Sequence, residues 1–437
     1  MIRRSLTLGW LATCNAALAI LMPWYVVTRL GVGVETDALF AAGAVPQLVF
    51  VVLSTSLAQV LVPLLATEDE ETFRKDAWGF FLGIGGLFTL LGLALFITAG
   101  YWVTWLVPGF SDEGKRLAIS LTRIQLVSTV LITGVVVLWS VYHARQKFVW
   151  AELSPVLANA VALGFLVWAL PVYGITAAAW ATVLHNGLKL AMLLPILGRW
   201  QRPDWGSRTM REFWRRIRPF LFAQTYYRTD PLIDRYLTSM SAAGNLSMFY
   251  IAQQIYGAAH QVLNKAISSP MMPLLAIAAK AEDAVAYRRI YRERLLWMTA
   301  LTVSGCLMLL LFGEPLLHLT IGHGGITAAN VRTLWWTTVA LTGVLVGGAV
   351  GQITSAGFYA MGDTKTPIKL TVLTFTAYIP VKIIVFRHYG LIGLALTASL
   401  YFISNCALQL IVLEKRSRPR PGWMYGYLRR MPKGVKP

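Results

Sequence analysis

Apolar runs of about 20 residues follow one another along almost the whole of this 437-residue chain. A helix of that length crosses roughly 30 Å of hydrocarbon. Only helices and closed barrels cross hydrocarbon, because the backbone there must satisfy its own hydrogen bonds. Hydrophobic residues make up 56% of the chain and charged residues 14%. The pattern predicts an all-α, polytopic membrane protein and excludes a soluble globular domain.

The apolar runs divide into about twelve transmembrane helices, six in each half of the chain. They lie near residues 7–29, 38–66, 78–107, 118–142, 149–171, 174–198, 219–241, 245–278, 295–320, 327–358, 367–386 and 389–413. We therefore expect an N-terminal six-helix lobe, 1–198, and a C-terminal six-helix lobe, 219–413. A basic amphipathic cytoplasmic linker, 199–218, joins them, and a basic cytoplasmic tail, 414–437, follows.

The two halves also echo one another in sequence. Val62-Pro63-Leu64-Leu65-Ala66 returns 210 positions later as Met272-Pro273-Leu274-Leu275-Ala276. Tyr173-Gly174-Ile175 returns 216 positions later as Tyr389-Gly390-Leu391. Self-similarity at a fixed period indicates an internal repeat, and repeated halves in a membrane protein are typical of transporters.

The net charge of +19 is distributed unequally between the two sides of the membrane. About 28 of the 39 Lys and Arg lie at the termini and in the even-numbered loops. The opposite side holds four, which are Arg29, Lys115, Arg116 and Arg387. By the positive-inside rule, we expect both termini to be cytoplasmic.

The densest basic block, 199–218, has Met210, Phe213 and Ile217 at helical spacing among its arginines. This pattern predicts an amphipathic helix lying on the headgroups of anionic membrane lipids. We expect those lipids, and not nucleic acid, to be the partners of the basic segments.

No feature of the sequence predicts an enzyme. Every loop between the predicted spans is short, about 20 residues at most, which leaves no room for a soluble catalytic domain. The chain has no nucleotide-binding loop, no Gly-x-Ser-x-Gly elbow and no His-Glu-x-x-His motif. We expect no catalytic residue, no metal site and no cofactor.

Insertion of an ionisable residue into the membrane within a span costs roughly 2.5 to 3.5 kcal/mol, so such residues are candidate site residues. The span 219–241 holds Arg228, Asp230, Asp234 and Arg235. Pro231 removes a backbone hydrogen bond there and is expected to bend or open the helix. Two interpretations stay open. The charges form ion pairs that fix helix packing, or the arginines face an anionic substrate while a carboxylate binds or relays a cation.

Other charged residues in or beside spans are secondary candidates. Arg29, Lys189 and Lys265 are candidates for binding an anionic headgroup. Asp37, with Asp230 and Asp234, is a candidate for coupling to protons or sodium ions. Glu152 and Arg123 are expected to pair across neighbouring helices.

Several short motifs resemble the MurJ (MviN) family of lipid II flippases. They are Thr28-Arg29-Leu30-Gly31, Thr36-Asp37-Ala38-Leu39-Phe40, Ala44-Val45-Pro46, Gln59 with Val62-Pro63, Pro108-Gly109-Phe110, Phe148 with Pro155, Leu157 and Asn159, Gly357-Phe358-Tyr359-Ala360, and Asp363-Thr364-Lys365-Thr366-Pro367. The resemblance implies the fold of the multidrug/oligosaccharidyl-lipid/polysaccharide (MOP) exporter superfamily. In that fold two six-helix lobes form a V around a central cavity that opens to each face in turn.

The resemblance also implies the function and the location, a flippase that moves an undecaprenyl-pyrophosphate-linked saccharide from the inner to the outer leaflet of the bacterial inner membrane. Family members generally have fourteen spans and arginines in the first two helices and the eighth. At the corresponding places this chain has Pro23-Trp24, Phe50 and Gln253-Gln254 instead of arginine, whereas Asp37 matches the family's motif. Lipid II and a related exopolysaccharide or O-antigen precursor therefore both fit as substrate. The alternative is a drug or metabolite antiporter of the same superfamily.

Overall fold

The computed structural model describes residues 2–66, 68–281 and 283–417, and every regular element in these ranges is a helix. Helices α1 to α8 are Ile2–Leu30, Val34–Ala42, Ala44–Ala66, Glu70–Ile97, Ala99–Leu106, Asp112–Ala144, Phe148–Tyr173 and Ile175–Leu193. Helices α9 to α16 are Arg208–Arg228, Asp230–Ser239, Asn245–Leu263, Ser269–Lys280, Ala284–Thr320, Ala328–Ala340, Thr342–Ala360 and Lys365–Arg416. A 3-10 turn, Leu194–Leu197, follows α8, and a π-helical turn, Asn264–Ser268, joins α11 to α12.

Nine stretches within the described ranges are helical, long and apolar enough to cross a membrane. The predicted number is larger for two physical reasons. The 52-residue α16 contains two predicted spans, which meet at the non-helical Gly390. The predicted spans 219–241 and 245–278 are each interrupted, the first at Thr229 and the second at the π-helical turn.

The described chain forms two compact units. The first unit comprises Met1–Ser247 with Gly324–Ile326, and the second comprises Met248–His323 with Thr327 onward. Helices α9 and α10 pack on α3, and thus belong to the first unit. The division into lobes at 198 and 219 stays a prediction.

The core of the first unit is formed by α3, α4, α6 and α9. Leu57, Leu61, Phe80 and Val137 are completely buried in it. Their burial follows from the apolar periodicity of α3, α4 and α6, which pack on one another in the unit's interior.

The apolar face of α9 contacts protein, which corrects the predicted arrangement on lipid headgroups. Met210, Phe213 and Ile217 are buried in the core of the first unit, and the ring of Phe213 lies 4.7 Å from that of Phe80, edge to face. Sequence periodicity shows that a helix has an apolar face, but it does not show what covers that face. The opposite face is basic and exposed, and its contact with anionic lipid stays a prediction.

Glu212 is the acidic residue on the polar face of α9. It forms ion pairs with Arg216, one turn later, and with Arg215, whose guanidinium nitrogen lies 3.5 Å from the carboxylate. The hydrogen bond from Arg216 lowers the pKa of the Glu212 carboxyl below its usual value. The two ion pairs hold Glu212 next to the arginines of the following turn on the surface of α9.

The second unit packs α12, α13, α15 and α16 around its own core. Met271, Leu275, Ile353 and Phe358 are buried there. The glycines of α15 allow α16 to approach closely. A Cβ atom on Gly347 would lie 2.5 Å from the backbone of α16. The glycine-rich stretch of α15 therefore serves close helix packing.

The internal repeat predicted from sequence is present in the structure. Asp69 caps α4 and Asp283 caps α13, each by accepting hydrogen bonds from two backbone N–H groups. Gly174, between α7 and α8, has φ 57° and ψ −147°. Its counterpart Gly390, inside α16, has φ 55° and ψ −138°. Equivalent positions in the two halves therefore adopt the same non-helical backbone conformation, which favours glycine because φ is positive.

Two motif glycines in the first unit lie where backbones touch. Gly31 ends α1 with φ 80°, and a Cβ atom there would lie 2.7 Å from the carbonyl oxygen of Gly325. The N–H of Gly325 donates to the carbonyl oxygen of Thr28 over 2.8 Å. A Cβ atom on Gly109 would lie 2.3 Å from the carbonyl oxygen of Ser239 at the end of α10. A side chain at either glycine would push these segments apart.

We predict that Gly31→Ala lowers the stability of the purified protein by about 1 to 3 kcal/mol, because alanine at this φ is strained and its Cβ clashes with backbone. Thermal unfolding in detergent, followed by loss of the monodisperse chromatographic peak, measures the effect. Gly85→Ala is the control, since a Cβ atom there meets nothing within 4 Å. An unchanged unfolding midpoint for Gly31→Ala would show that the contact is dispensable.

Candidate functional site

The predicted charged span is a broken helix in the structure. Helix α9 ends at Arg228, Thr229 interrupts it, and α10 begins at Asp230 with Pro231 in its first turn. The predicted effect of the proline is thereby confirmed. The break places Arg228 and Asp230, both half-buried, on either side of Thr229, whose N–H donates to the carbonyl oxygen of Tyr226 over 3.4 Å. Arg228 and Arg235 therefore belong to different helices, α9 and α10.

Arg235, on α10, is buried inside the first unit. It is 1% exposed, and its Nε donates to the carbonyl oxygen of Phe40 on α2 over 3.3 Å. Its charge also acts on the carboxylate of Asp37, one turn earlier on α2. The structure thus brings two of the predicted site residues, Arg235 and Asp37, into one buried cluster.

Asp37 is 2% exposed, and its carboxylate accepts three hydrogen bonds. The N–H groups of Gly244 and Ser247 each donate to it over 2.7 Å, and the hydroxyl of Ser247 donates over 2.5 Å. These donors lie at the start of α11, where the first N–H groups of a helix have no helical acceptor. Asp37 therefore caps α11 from a neighbouring helix, and its part in ion coupling stays a prediction.

Asp234 completes the group of buried charges on α10. It is 2% exposed and precedes Arg235, so the two side chains point to different sides of the helix. The carbonyl oxygen of Asp234 accepts a hydrogen bond from the hydroxyl of Thr238 over 2.6 Å. Both interpretations of the span, packing and substrate binding, remain compatible with this arrangement.

The three weaker candidates lie apart from the cluster of Asp37 and Arg235. Arg29, at the end of α1, is exposed, and its guanidinium lies 5.5 Å from the centre of the Tyr25 ring. Lys189 on α8 is half-buried and interacts electrostatically with Glu152 on α7. The side chain of Lys265 lies outside the described part of the structure.

The expected pairing of Glu152 with Arg123 is wrong. The charge of Glu152 acts on Lys189, whereas the guanidinium of Arg123 lies 5.5 Å from the centre of the Phe96 ring. Sequence places both residues in neighbouring spans, but the rotation of each helix about its axis decides which side chains meet.

A second ionic cluster, in the second unit, was not predicted. Glu414, near the end of α16, accepts hydrogen bonds from Arg288 and Arg292 of α13 over 3.0 and 2.9 Å, and from Tyr291. The spacing of the two arginines places both on one face of α13, which is the one sequence signal available. Their partner lies more than 120 positions away, so the pattern alone does not identify it. The cluster fastens α13 to the end of α16.

Comparison with known proteins identifies the family. The sequence model described as "Lipid II flippase MurJ" matches residues 26–430. The chain belongs to the lipid II flippase MurJ family. The resemblance seen in the short motifs is thereby confirmed over most of the chain. MurJ proteins are transporters, so the expectation that the chain is not an enzyme is also confirmed.

Curated relatives from the MurJ family align over nearly the full chain. The lipid II flippase MurJ of Burkholderia cenocepacia is 25% identical over 456 residues, which covers 97% of this chain and 86% of the relative. The probable lipid II flippase MurJ of Vibrio cholerae is 23% identical over 440 residues, which covers 93% of this chain and 82% of the relative.

Solved structures confirm the fold class. A lipid II flippase MurJ in an inward closed conformation superposes with a TM-score of 0.80 at 21% identity, covering 93% of this chain and 87% of that one. An inward-facing multidrug resistance MATE family transporter of the MOP superfamily superposes with a TM-score of 0.76 at 17% identity, covering 94% of each chain. The chain is therefore an all-α, multi-pass membrane protein of the MOP superfamily fold.

The described residues contain no group of three or more His, Cys, Asp or Glu side chains placed to hold a metal ion. That finding concerns these ranges alone, and the expectation of a protein without cofactors stays a prediction.

We predict that Asp37→Asn in this MurJ family member lowers the unfolding free energy by about 1 to 3 kcal/mol. The amide NH2 of asparagine would face a backbone N–H of Gly244 or Ser247, so one buried donor would lose its acceptor. Thermal unfolding of the purified protein measures the loss.

The matched control is Glu35→Gln, which makes the same chemical change on an exposed residue of the same helix. Equal midpoints for the two variants would contradict the capping role of Asp37.

Proposed function

We propose that this protein is a flippase that moves an undecaprenyl-pyrophosphate-linked saccharide, with lipid II as the first candidate, from the inner to the outer leaflet of the bacterial inner membrane by alternating access. The match of the MurJ family model to residues 26–430 is the observation that carries this proposal. The names of the two curated relatives, both described as lipid II flippases, support it.

The cargo of such a flippase sets a clear physical requirement. A pyrophosphate and a polar glycan lose their hydration in hydrocarbon at very large cost, so the protein must supply replacement hydrogen bonds. Arginine suits this task because its planar guanidinium group binds phosphate through two parallel hydrogen bonds. We assign this role to Arg228 and Arg235, with Arg29, Lys189 and Lys265 as secondary contributors. The protein forms and breaks no covalent bond.

Two sources of driving force fit this proposal. A membrane potential that is negative inside favours outward movement of an anion by roughly 2.3 kcal/mol per charge per 100 mV. Asp230, Asp234 and Asp37 are our candidates for coupling to protons or sodium ions. Asp234 and Asp37 are buried, as the binding of a cation within the membrane requires.

A different polyprenyl-linked glycan is the second candidate substrate. Its support is that Pro23-Trp24, Phe50 and Gln253-Gln254 stand where MurJ proteins generally carry arginines. Fewer cavity arginines suit a cargo with a different headgroup, such as an exopolysaccharide or O-antigen precursor. Depletion of the protein in its native host, followed by mass spectrometry of the accumulating lipid-linked sugar, decides between the two.

A MATE-like antiporter for cationic drugs fits less well. MATE structures share the fold, but a fold by itself does not specify the substrate. A cationic drug favours an acidic cavity, whereas the predicted spans hold more Lys and Arg than Asp and Glu.

We predict that Arg228→Gln and Arg235→Gln each reduce transport about tenfold or more, since a hydrogen bond to a charged group contributes about 1.5 to 3 kcal/mol. The assay uses proteoliposomes that hold the lipid-linked saccharide, with the fraction in the far leaflet measured by a membrane-impermeant hydrolase. Arg235→Lys, which keeps the charge but not the planar guanidinium group, is expected to fall between the wild type and Arg235→Gln.

Arg289→Gln serves as the matched control, because Arg289 is exposed on α13 and outside the Glu414 cluster. Thermal unfolding of each variant separates misfolding from lost transport. Wild-type transport by a correctly folded Arg228→Gln, Arg235→Gln double variant would remove both residues from the mechanism.

A further inference from the structure

Helix α6 has two chemically different faces. Ala118, Leu121 and Gln125 lie on the buried face, which packs within the first unit. Arg116, Ser120, Arg123 and Val127 follow at intervals of three or four residues and form the other face, which is exposed. That spacing aligns their side chains along one side of the helix. A row of arginine, serine and arginine therefore runs along the outward side of a membrane-spanning helix.

A groove lies along this row. Its volume is about 480 Å³, and it is lined by α6 together with Phe96 from α4 and Trp180 from α8. This volume is within the range of small-molecule pockets. Phe96, Trp180 and Val127 are between 39% and 49% exposed, as expected of side chains that face hydrocarbon. The groove thus combines apolar walls with two guanidinium groups.

The two arginines have no acidic partner within the described part of the first unit. No Asp or Glu oxygen described there lies within 4.0 Å of either guanidinium group, although Asp112 and Glu113 begin the same helix. Arg123 lies over the Phe96 ring, at 5.5 Å from its centre. A ring contact of this kind leaves the N–H donors at the edge of the guanidinium plane available.

Arg123 lies near the outer end of the predicted span 118–142, where an unpaired charge favours a bound anion. Arg123 lies eleven residues after Asp112, the first residue of α6, so it sits about 16 Å along the helix axis from that end. A charge there is costly unless it is paired or reaches the interface. The membrane itself supplies one abundant anion, the phosphate of a lipid headgroup. Arginine binds phosphate through two parallel hydrogen bonds, and a serine hydroxyl donates a third.

We propose that Arg116, Ser120 and Arg123 form a binding site for the phosphate of an anionic lipid on the membrane-facing side of the first unit. The apolar walls hold the first part of the acyl or prenyl chain, which distinguishes a lipid from free phosphate. The charge distribution along the chain places this end of α6 on the outer side of the membrane. The site holds its lipid independently of the transport role of Arg228 and Arg235, so it goes beyond the proposed flippase activity.

Native mass spectrometry of the purified full-length protein tests the site. Phosphatidylglycerol is the probe, zwitterionic phosphatidylcholine is the headgroup control, and inorganic phosphate is the control for a bare anion. We expect the wild type to bind phosphatidylglycerol at least tenfold more tightly than phosphatidylcholine. The double variant Arg116→Gln, Arg123→Gln is expected to lose this preference.

The control variant is Arg289→Gln, Arg387→Gln, which removes the same charge from two exposed positions elsewhere. Because neither groove arginine has an acidic partner in the described structure, the groove variant is expected to unfold at the wild-type temperature in lipid-free detergent. Addition of phosphatidylglycerol should then raise the midpoint of the wild type and the control, but not that of the groove variant.

Undecaprenyl pyrophosphate distinguishes the source of the lipid phosphate. If it displaces phosphatidylglycerol, the site accepts the polyprenyl carrier; if it does not, the site is specific for phospholipid. Either result supports a lipid phosphate site. Equal affinity of wild type and groove variant for phosphatidylglycerol would overturn the proposal, as would inorganic phosphate binding as tightly as phosphatidylglycerol. A failure of the flippase assay would leave these binding results unaffected.

Discussion

A backbone N–H or C=O group without a partner costs several kcal/mol in hydrocarbon, and this constraint explains where the first unit places its buried polar residues. The chain must begin a new helix at α11 inside the protein, and Asp37 supplies the acceptor for Gly244 and Ser247 there. Arg235 in turn donates to the carbonyl oxygen of Phe40, on the same helix as Asp37. The buried charges of Asp37 and Arg235 therefore stabilise the fold, independently of any role in transport.

The repeat shows which features of the halves the fold requires. Ser111 and Thr327, 216 positions apart, each cap the helix that follows. Gly109 and Gly325, also 216 apart, each lie against backbone, one at the end of α10 and the other at the end of α1. The two loops thus make reciprocal contacts, each with the final turn of a helix from the other half. Ser111 and Thr327 have the same extended backbone conformation although the residue types differ, which indicates that both halves require a turn of the same shape.

Sequence patterns predict the elements of this protein better than their contacts. Hydropathy predicts the spans because each span must be apolar by itself to lie in lipid. Pro231 predicts the break between α9 and α10 because its missing N–H removes a hydrogen bond within the same helix. The partners of Asp37, the surface that covers Phe213, and the lack of pairing between Glu152 and Arg123 depend on helices distant in sequence. Those contacts are fixed by helix rotation and packing, which no local pattern records.

The geometry of Asp37 constrains any role that it has in ion coupling. All three groups that bond to its carboxylate are donors, and each presents a positive hydrogen to the oxygens. A carboxylate has about four lone-pair sites and the cap on α11 uses three of them, so a sodium ion would compete with the cap for the Asp37 oxygens. Movement of the start of α11 away from Asp37 would therefore favour binding of the cation. In that case Asp37 would cap α11 in one state of the protein and bind the cation in another. The cation would shift the equilibrium toward the uncapped state in proportion to its higher affinity for that state.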